Sequence, residues 1–267
     1  MKKFFFLLLL TMFSDFALFA QGHSHKSEIT LLTYNIYHGE DPYHPGKSNL
    51  REIAELINTI RPDLVALQEV DSMTNRTKNF NPEGKLDLMA ELGKLTGMKP
   101  YFAKAIDFSE GGYGEGILSR FPTQFISYSL PIPNGGEQRS LALAKVNLGN
   151  GKTLVFGGTH LCHQYVENRT AQVVALKNIL SKFDTPVVLT GDFNFTADEL
   201  GYSILSEEFL DAALEFGNLK NTYSSKEPKI RIDYFWLGKA KDWEIVSVEV
   251  LGVEFSDHKP VLVKLRH

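Results

Sequence analysis

The sequence predicts an α/β (α+β) protein built as a four-layer α-β-β-α sandwich: two mixed sheets packed face to face, with helices outside. Three observations carry this expectation. Short apolar, β-prone segments recur along the whole chain, with amphipathic stretches of helical period between some of them. The two halves echo each other, each running from a strand through a helix to a second strand. Those strands also end abruptly in polar groups: Asn35 and Glu69 in the first half, His160 and then Asp192 with Asn194 in the second. Two packed sheets bring such ends to a common rim.

The chain has 267 residues, 43% of them hydrophobic, which suits one large domain with a sizeable core. Its formal net charge is −4, so the strong basic excess of a typical nucleic-acid binder is missing. Lys2 and Lys3, the apolar run from Phe4, and Ala17-Leu18-Phe19-Ala20 read as a cleavable export leader over residues 1–20. The apolar stretch is short for a membrane span. Residues 21–28 then form a solvated tail, and 29–267 the domain, expected to be an exported monomer in the periplasm or outside the cell. Cys162 is the only cysteine, which rules out an internal disulfide. A buried, inert thiol is expected there.

Strands are predicted at Ile29–Ile36, Asp63–Gln68, Gly116–Ser119, Leu141–Leu148, Thr153–Thr159, Pro186–Thr190, Ile232–Leu237, Trp243–Val250 and Pro260–Leu265. In the first helix Leu50, Ile53, Ala54, Ile57 and Ile60 share a face, Asn49 is the expected N-cap, and Pro62 stops the run. A second helix is expected over Leu86–Thr96 with Gly97 as its stop. A third covers Asn168–Phe183, with Ala171, Val174, Ala175 and Leu180 near one face, and a short fourth covers Asp198–Ser206.

The chemistry lies in the polar groups that interrupt apolar strands. A carboxylate such as Glu69 at the end of a buried strand is costly unless paired or metal-bound. With Asn35 it makes a hard oxygen pair suited to Mg²⁺ or Mn²⁺. Asp192 and Asn194 are two apart, so on an extended segment they face one side and can hold a water. His160 and His258 sit at strand ends among carboxylates, where imidazoles donate to phosphoryl oxygens. Asp233 is placed to hold one imidazole in its cationic form. Arg139 and Arg169 are candidate phosphate clamps. His38, with Tyr43 and His44, crowds the loop after the first strand and is a candidate for the substrate pocket. Glu115 reads as a solvated loop residue.

Seven segments in order, Thr33-Tyr34-Asn35-Ile36, Leu67-Gln68-Glu69-Val70, Gly116-Ile117-Leu118-Ser119-Arg120, Gly158-Thr159-His160-Leu161, Gly191-Asp192-Phe193-Asn194, Arg231-Ile232-Asp233-Tyr234 and Ser256-Asp257-His258-Lys259-Pro260-Val261, resemble the endonuclease/exonuclease/phosphatase superfamily. The resemblance runs from Leu31 to the C-terminus. It implies a deoxyribonuclease-like fold and a Mg²⁺ site at Asn35 and Glu69, with Asp257 on the metal side. It implies that Asp192 orients or deprotonates the attacking water, with Asn194 helping. His258, steadied by Asp233, and His160 would contact the scissile phosphate, and Tyr113 resembles a phosphate-contacting tyrosine.

The leading expectation is therefore a metal-dependent hydrolase of phosphomono- or phosphodiesters on a small, sugar-linked or lipid substrate. An exported Mg²⁺-dependent endonuclease is the second reading, disfavoured by the acidic balance. A non-catalytic binding module is the third. Specificity is expected in the loops Gly39–Lys47, Met73–Gly84 and Phe108–Gly114.

Overall fold

The computed structural model describes residues 28–149, 151–238 and 243–266. The expected leader and all but the last residue of the tail lie outside these residues. Glu28, assigned to the tail, instead opens the first strand, where it pairs with Arg266.

The strands are β1 (Glu28–Asn35), β2 (Leu64–Ser72), β3 (Lys99–Phe108), β4 (Gly111–Ser119), β5 (Thr123–Leu130), β6 (Arg139–Gly149), β7 (Lys152–His160), β8 (Val187–Asp192), β9 (Phe209–Asp211), β10 (Asp233–Gly238), β11 (Glu244–Val250) and β12 (Val261–Arg266). They form two six-stranded sheets, ordered β11-β12-β1-β2-β4-β3 and β5-β6-β7-β8-β10-β9. Both are mixed. β1 and β2 run parallel, as do β7 and β8, and the other pairs are antiparallel. Each parallel pair is joined by a helix, as a parallel crossover requires: α1 (Leu50–Ile60) for the first, α3 (Val166–Leu180) for the second. The remaining helices are α2 (Leu88–Thr96), α4 (Leu200–Ser206) and α5 (Ala212–Phe216).

Leu31, Ala66, Ile117, Ala144, Phe156, Val188, Phe235 and Val263 come from both sheets and form one buried cluster between them. The sheets approach closely at the centre, where a Cβ on Gly158 would lie 2.9 Å from that of Ala66. α1 and α2 pack Ile53, Ile57, Leu88 and Leu92 on the outer face of the first sheet. α3 and α4 pack Val173, Leu176 and Leu205 on that of the second. The four layers are thus helix, sheet, sheet, helix. Truncating a fully buried anchor such as Ile53 to Ala costs about 2–5 kcal/mol.

All nine expected strands are present. The three missed, β3, β5 and β9, are sheet edges. β3 and β5 are part-buried and carry no continuous apolar run, with Gln124, Ser127 and Ser129 of β5 exposed, and β9 spans only three residues. α1 keeps its expected residues and Asn49 stands at its N-cap position, but the Asn49 side chain does not cap it. Its Nδ2 donates to the Phe255 carbonyl at 2.9 Å, and Ser48 Oγ accepts from Leu50 N at 3.2 Å. α2 begins at Leu88 because Asp87 caps it, accepting from Ala90 N at 2.9 Å. α3 starts at Val166 and ends at Leu180, and its inner face is Arg169, Gln172, Val173, Leu176 and Leu180 rather than the expected one. Val174 is exposed. Buried polar side chains with partners replaced apolar residues on that face, which hid it from a hydrophobic pattern.

Candidate active site

The polar strand ends from both sheets meet around Asp192. In β8, Gly191 has φ 138° and faces Thr159 so closely that an added Cβ would stand 1.9 Å from its carbonyl oxygen. Only glycine fits there. The close approach sets His160 of β7 directly beside Asp192 in the ladder. The Asp192 carboxylate is buried and shared. Its Oδ2 accepts from Asn35 Nδ2 at 3.1 Å and lies 3.4 Å from His160 Nε2 and 3.5 Å from His258 Nε2. Its Oδ1 accepts from the Asn194 backbone N–H at 2.9 Å, an Asx-type turn that holds Asn194 at φ 51°.

On the first sheet, Asn35 ends β1, and its Nδ2 also donates to Glu69 Oε1 at 3.1 Å. Asn35 therefore bridges the two sheets beneath the site. Glu69 sits where the β2–β4 register shifts, with φ 58°. That bulge re-aims a side chain which regular alternation would send elsewhere. His258, just before β12, has its Nδ1 3.0 Å from Asp233 Oδ2.

The charge states follow from these contacts. Burial opposes a cationic His258, yet Asp233 and Asp192 outweigh it and raise its pKa to about 10. Its Nδ1–H therefore donates to Asp233. Burial, reinforced by Arg139 and His258, holds His160 neutral, well below its ordinary value. Burial lifts Asp192 to about 7 against the pull of His258. Burial and then Asp257 raise Glu69 above the usual carboxylate range.

A pocket of about 370 Å³ opens over this cluster. Glu69, Tyr113, Arg139, His160, Asp192, Asn194, Asp257 and His258 line it, and Asn35 and Asp233 stand directly behind. Two expected substrate contacts do not line it. Arg169 spends its guanidinium on Glu199, at 2.7 Å from Nη2 and 3.2 Å from Nε, and on the Cys162 and His163 carbonyls. It ties a loop to α3. His38 is buried behind Glu69, 4.0 Å from Oε2, and bonds Glu40 at 3.2 Å. Glu115 is likewise no loop residue. It lies in β4, fully buried, accepts from the Ser140 hydroxyl, and burial raises its pKa to about 8. The strand opens earlier than the Gly116 expected for it, because Gly111, Gly112 and Gly114 pair with β3. Cys162 is buried, as expected, beneath Asn168 and Tyr165.

The sequence reading missed Glu137, His163, Tyr223, Ile230 and Ile232, which also line the pocket. His163 lies three residues past a strand-end histidine, a usable signal. Tyr223 and Ile230 sit in an irregular loop without period and carried none.

Asp192, Asp233 and His258 also bring potential ligand atoms within 4.8 Å of one another. Asp233 and His258 are already joined by their own hydrogen bond, so this trio serves first as a proton-bearing network. Glu69 and Asp257 form the other acidic corner. Two facing carboxylates, one pushed up by the other, with an amide beside them make an all-oxygen donor set that fits a hard divalent cation.

Two six-stranded sheets with this cleft at their shared rim define the α+β sandwich of deoxyribonuclease-like hydrolases. The chain belongs to the Endonuclease/Exonuclease/phosphatase family, whose sequence profile matches residues 32–258. Members of this family are generally phosphoester hydrolases and typically depend on a divalent metal. The chain is 22% identical over 245 residues to the uncharacterized protein YbhP of Escherichia coli K12, covering 88% of this chain and 95% of that one. Among solved structures it is similar to the mannosyl-6-phosphatase of Bacteroides thetaiotaomicron VPI-5482, with TM-score 0.74, 18% identity, and coverage of 89% and 99%. It is also similar to the human Nocturnin catalytic domain with bound sulfate, with TM-score 0.66, 19% identity, and coverage of 90% and 93%. At these identities the structural likeness concerns the fold. Among the described residues, no helix is long and apolar enough to cross a membrane.

Proposed function

We propose that this protein is an exported, Mg²⁺-dependent phosphoesterase acting on phosphomono- or phosphodiesters of small, sugar-linked or lipid substrates. The observation that carries the proposal is the sharing of Asp192 by Asn35, His160 and His258 under one pocket. Glu69 and Asp257, with Asn35, would hold the cation. When bound, such an ion withdraws charge from phosphoryl oxygens. Asp192, raised to about 7, is a base suited to taking a proton from water near neutral pH. Asn35 and the Asn194 backbone fix its two oxygens, so the lone pair that accepts the proton has a set direction. Asn194 stands beside that path. The cationic His258 offers its Nε2–H to a phosphoryl oxygen, and Asp233 keeps that charge in place. Neutral His160 offers a second donor at Nε2, and its proposed role is to hand a proton to the leaving oxygen. Tyr113 adds a hydroxyl donor at the pocket's edge.

The test is a substrate panel in Mg²⁺ and in EDTA: 4-nitrophenyl phosphate, bis(4-nitrophenyl) phosphate, sphingomyelin, inositol phosphates and plasmid DNA. Hydrolysis of a small ester that stops on chelation and returns with Mg²⁺ is expected. Undiminished turnover after rigorous chelation overturns the proposal, and preferential nicking of plasmid turns it into the nuclease reading.

A further inference from the structure

The proposed chemistry uses the floor of the pocket and leaves one wall without a role. Two loops build that wall. The β5–β6 loop carries Glu137 into Arg139, and the β7–α3 loop carries His163. Asn168, fully buried in the first turn of α3, fixes the first loop: its Oδ1 accepts from Asn134 N at 2.9 Å and its Nδ2 donates to the Gly135 carbonyl at 2.8 Å. Gln138 Nε2 donates to the Leu130 and Arg139 carbonyls and closes the loop's base.

Arg139 is buried, its Nε has no partner, and each of its terminal nitrogens has one. Nη1 lies 3.1 Å from Glu137 Oε1 and Nη2 lies 3.1 Å from His163 Nδ1. A guanidinium only donates, so His163 Nδ1 accepts and the ring's hydrogen sits on Nε2. The ring is neutral, and the three groups together carry no net charge. Among the described residues lining the pocket, Arg139 is the only lysine or arginine. This wall therefore presents no free cation to an anion. It presents a carboxylate acceptor beside an imidazole N–H donor, both on the rim. Such a pair matches neutral hydroxyls, each of which donates and accepts. Across from it, the Ile230 and Tyr223 side chains give an apolar edge for C–H groups.

We infer that Glu137 and His163, held by Arg139, form the leaving-group subsite, and that the substrate class is a phosphorylated polyol such as a sugar phosphate. The inference rests on the phosphoesterase reading above. A polyanionic chain would set further phosphates against Glu137 with no unpaired cation to receive them.

The experiment uses the full-length protein with Mg²⁺ and measures kcat/KM for mannose 6-phosphate and glucose 6-phosphate relative to 4-nitrophenyl phosphate. Wild type is compared with Glu137→Gln and His163→Ala, and thermal melts check folding. The ratio of sugar phosphate to nitrophenyl phosphate is expected to fall at least about tenfold in each variant, through KM, or about 1.4 kcal/mol. Glu137→Gln keeps the shape and an acceptor for Arg139, so a folding defect in His163→Ala would not remove the test. Ratios within about twofold of wild type in both variants overturn the subsite. So does a wild type that hydrolyses nitrophenyl phosphate but neither sugar phosphate, an outcome that leaves the phosphoesterase reading standing. Failure to hydrolyse any ester, nitrophenyl phosphate included, overturns the underlying reading itself.

Discussion

The two parallel strand pairs solve the same delivery problem in different ways. In the second sheet His160 and Asp192 are direct ladder neighbours, and the strain of bringing them together is taken by Gly191 at φ 138°. In the first sheet Asn35 is level with Gln68, which is buried and bonds Thr33, and the functional carboxylate comes one residue later. Glu69 reaches the rim only through a register shift and a left-handed backbone. The difference teaches that the rim is specified by geometry rather than by one motif. The first sheet brings the oxygen groups proposed for a cation together with His258, and the second brings His160 and the shared base Asp192. Asn35 joins the two at 3.1 Å on each side.

Variants can break this division of labour. Asp192→Ala and His258→Ala are each expected to lower kcat/KM by at least about 10²-fold at any Mg²⁺ concentration. Glu69→Gln is expected to lose a similar factor at low Mg²⁺ and recover part of it as Mg²⁺ is raised. Magnesium titrations of the three variants decide the matter, and the opposite pattern of rescue would erase the proposed split between cation-holding and proton-handling groups.

Gly191→Ala should destabilise the fold by about 3 kcal/mol or more, because the new Cβ meets Thr159 backbone. Urea unfolding reads this directly, and a near-normal midpoint would show that β8 relaxes at no cost. A pH effect of intermediate size comes from Glu115. Burial raises its folded pKa to about 8 from an ordinary value of 4.5, so between these values the native state binds the proton that the unfolded chain has lost. Stability is therefore greatest below about 4.5 and falls as pH rises toward 8, by up to about 1.4 kcal/mol per pH unit. Glu115→Gln should flatten that slope in melts recorded between pH 5 and 8, and an unchanged slope would assign the proton elsewhere. The smallest effect on turnover is expected for Arg169→Met. Losing its fork on Glu199 should cost about 1–3 kcal/mol of stability, while kcat/KM stays within twofold. A selective loss of activity would return Arg169 to the substrate.

How much of this was legible in the sequence depends on what each residue's signal was. β1, β2, β7 and β8 are buried on both faces, so their apolar runs and polar ends stood out. Edge strands β3 and β5 did not, because exposed residues interrupt them, and β9 is too short to show a period. Asn35, Glu69, His160, Asp192 and His258 were singled out because each interrupts an apolar strand or adjoins one. His38 drew notice by its place in the loop after the first strand and Arg169 by residue type, and both are buried, bonded to Glu40 and Glu199 outside the pocket lining. Glu137 had no pattern to mark it, and His163 only its place three residues past His160, since the two meet only through Arg139.

The sequence by itself determined the layered α+β class, the order of the central elements and the strand-end groups, because hydrophobic period and its interruptions are local properties. Tertiary structure alone decided which arginine faces the pocket, that Glu115 is interior, and that Glu137 pairs across a loop. Those outcomes depend on contacts between segments distant along the chain, and a donor's remaining capacity is known only once its partners are in place.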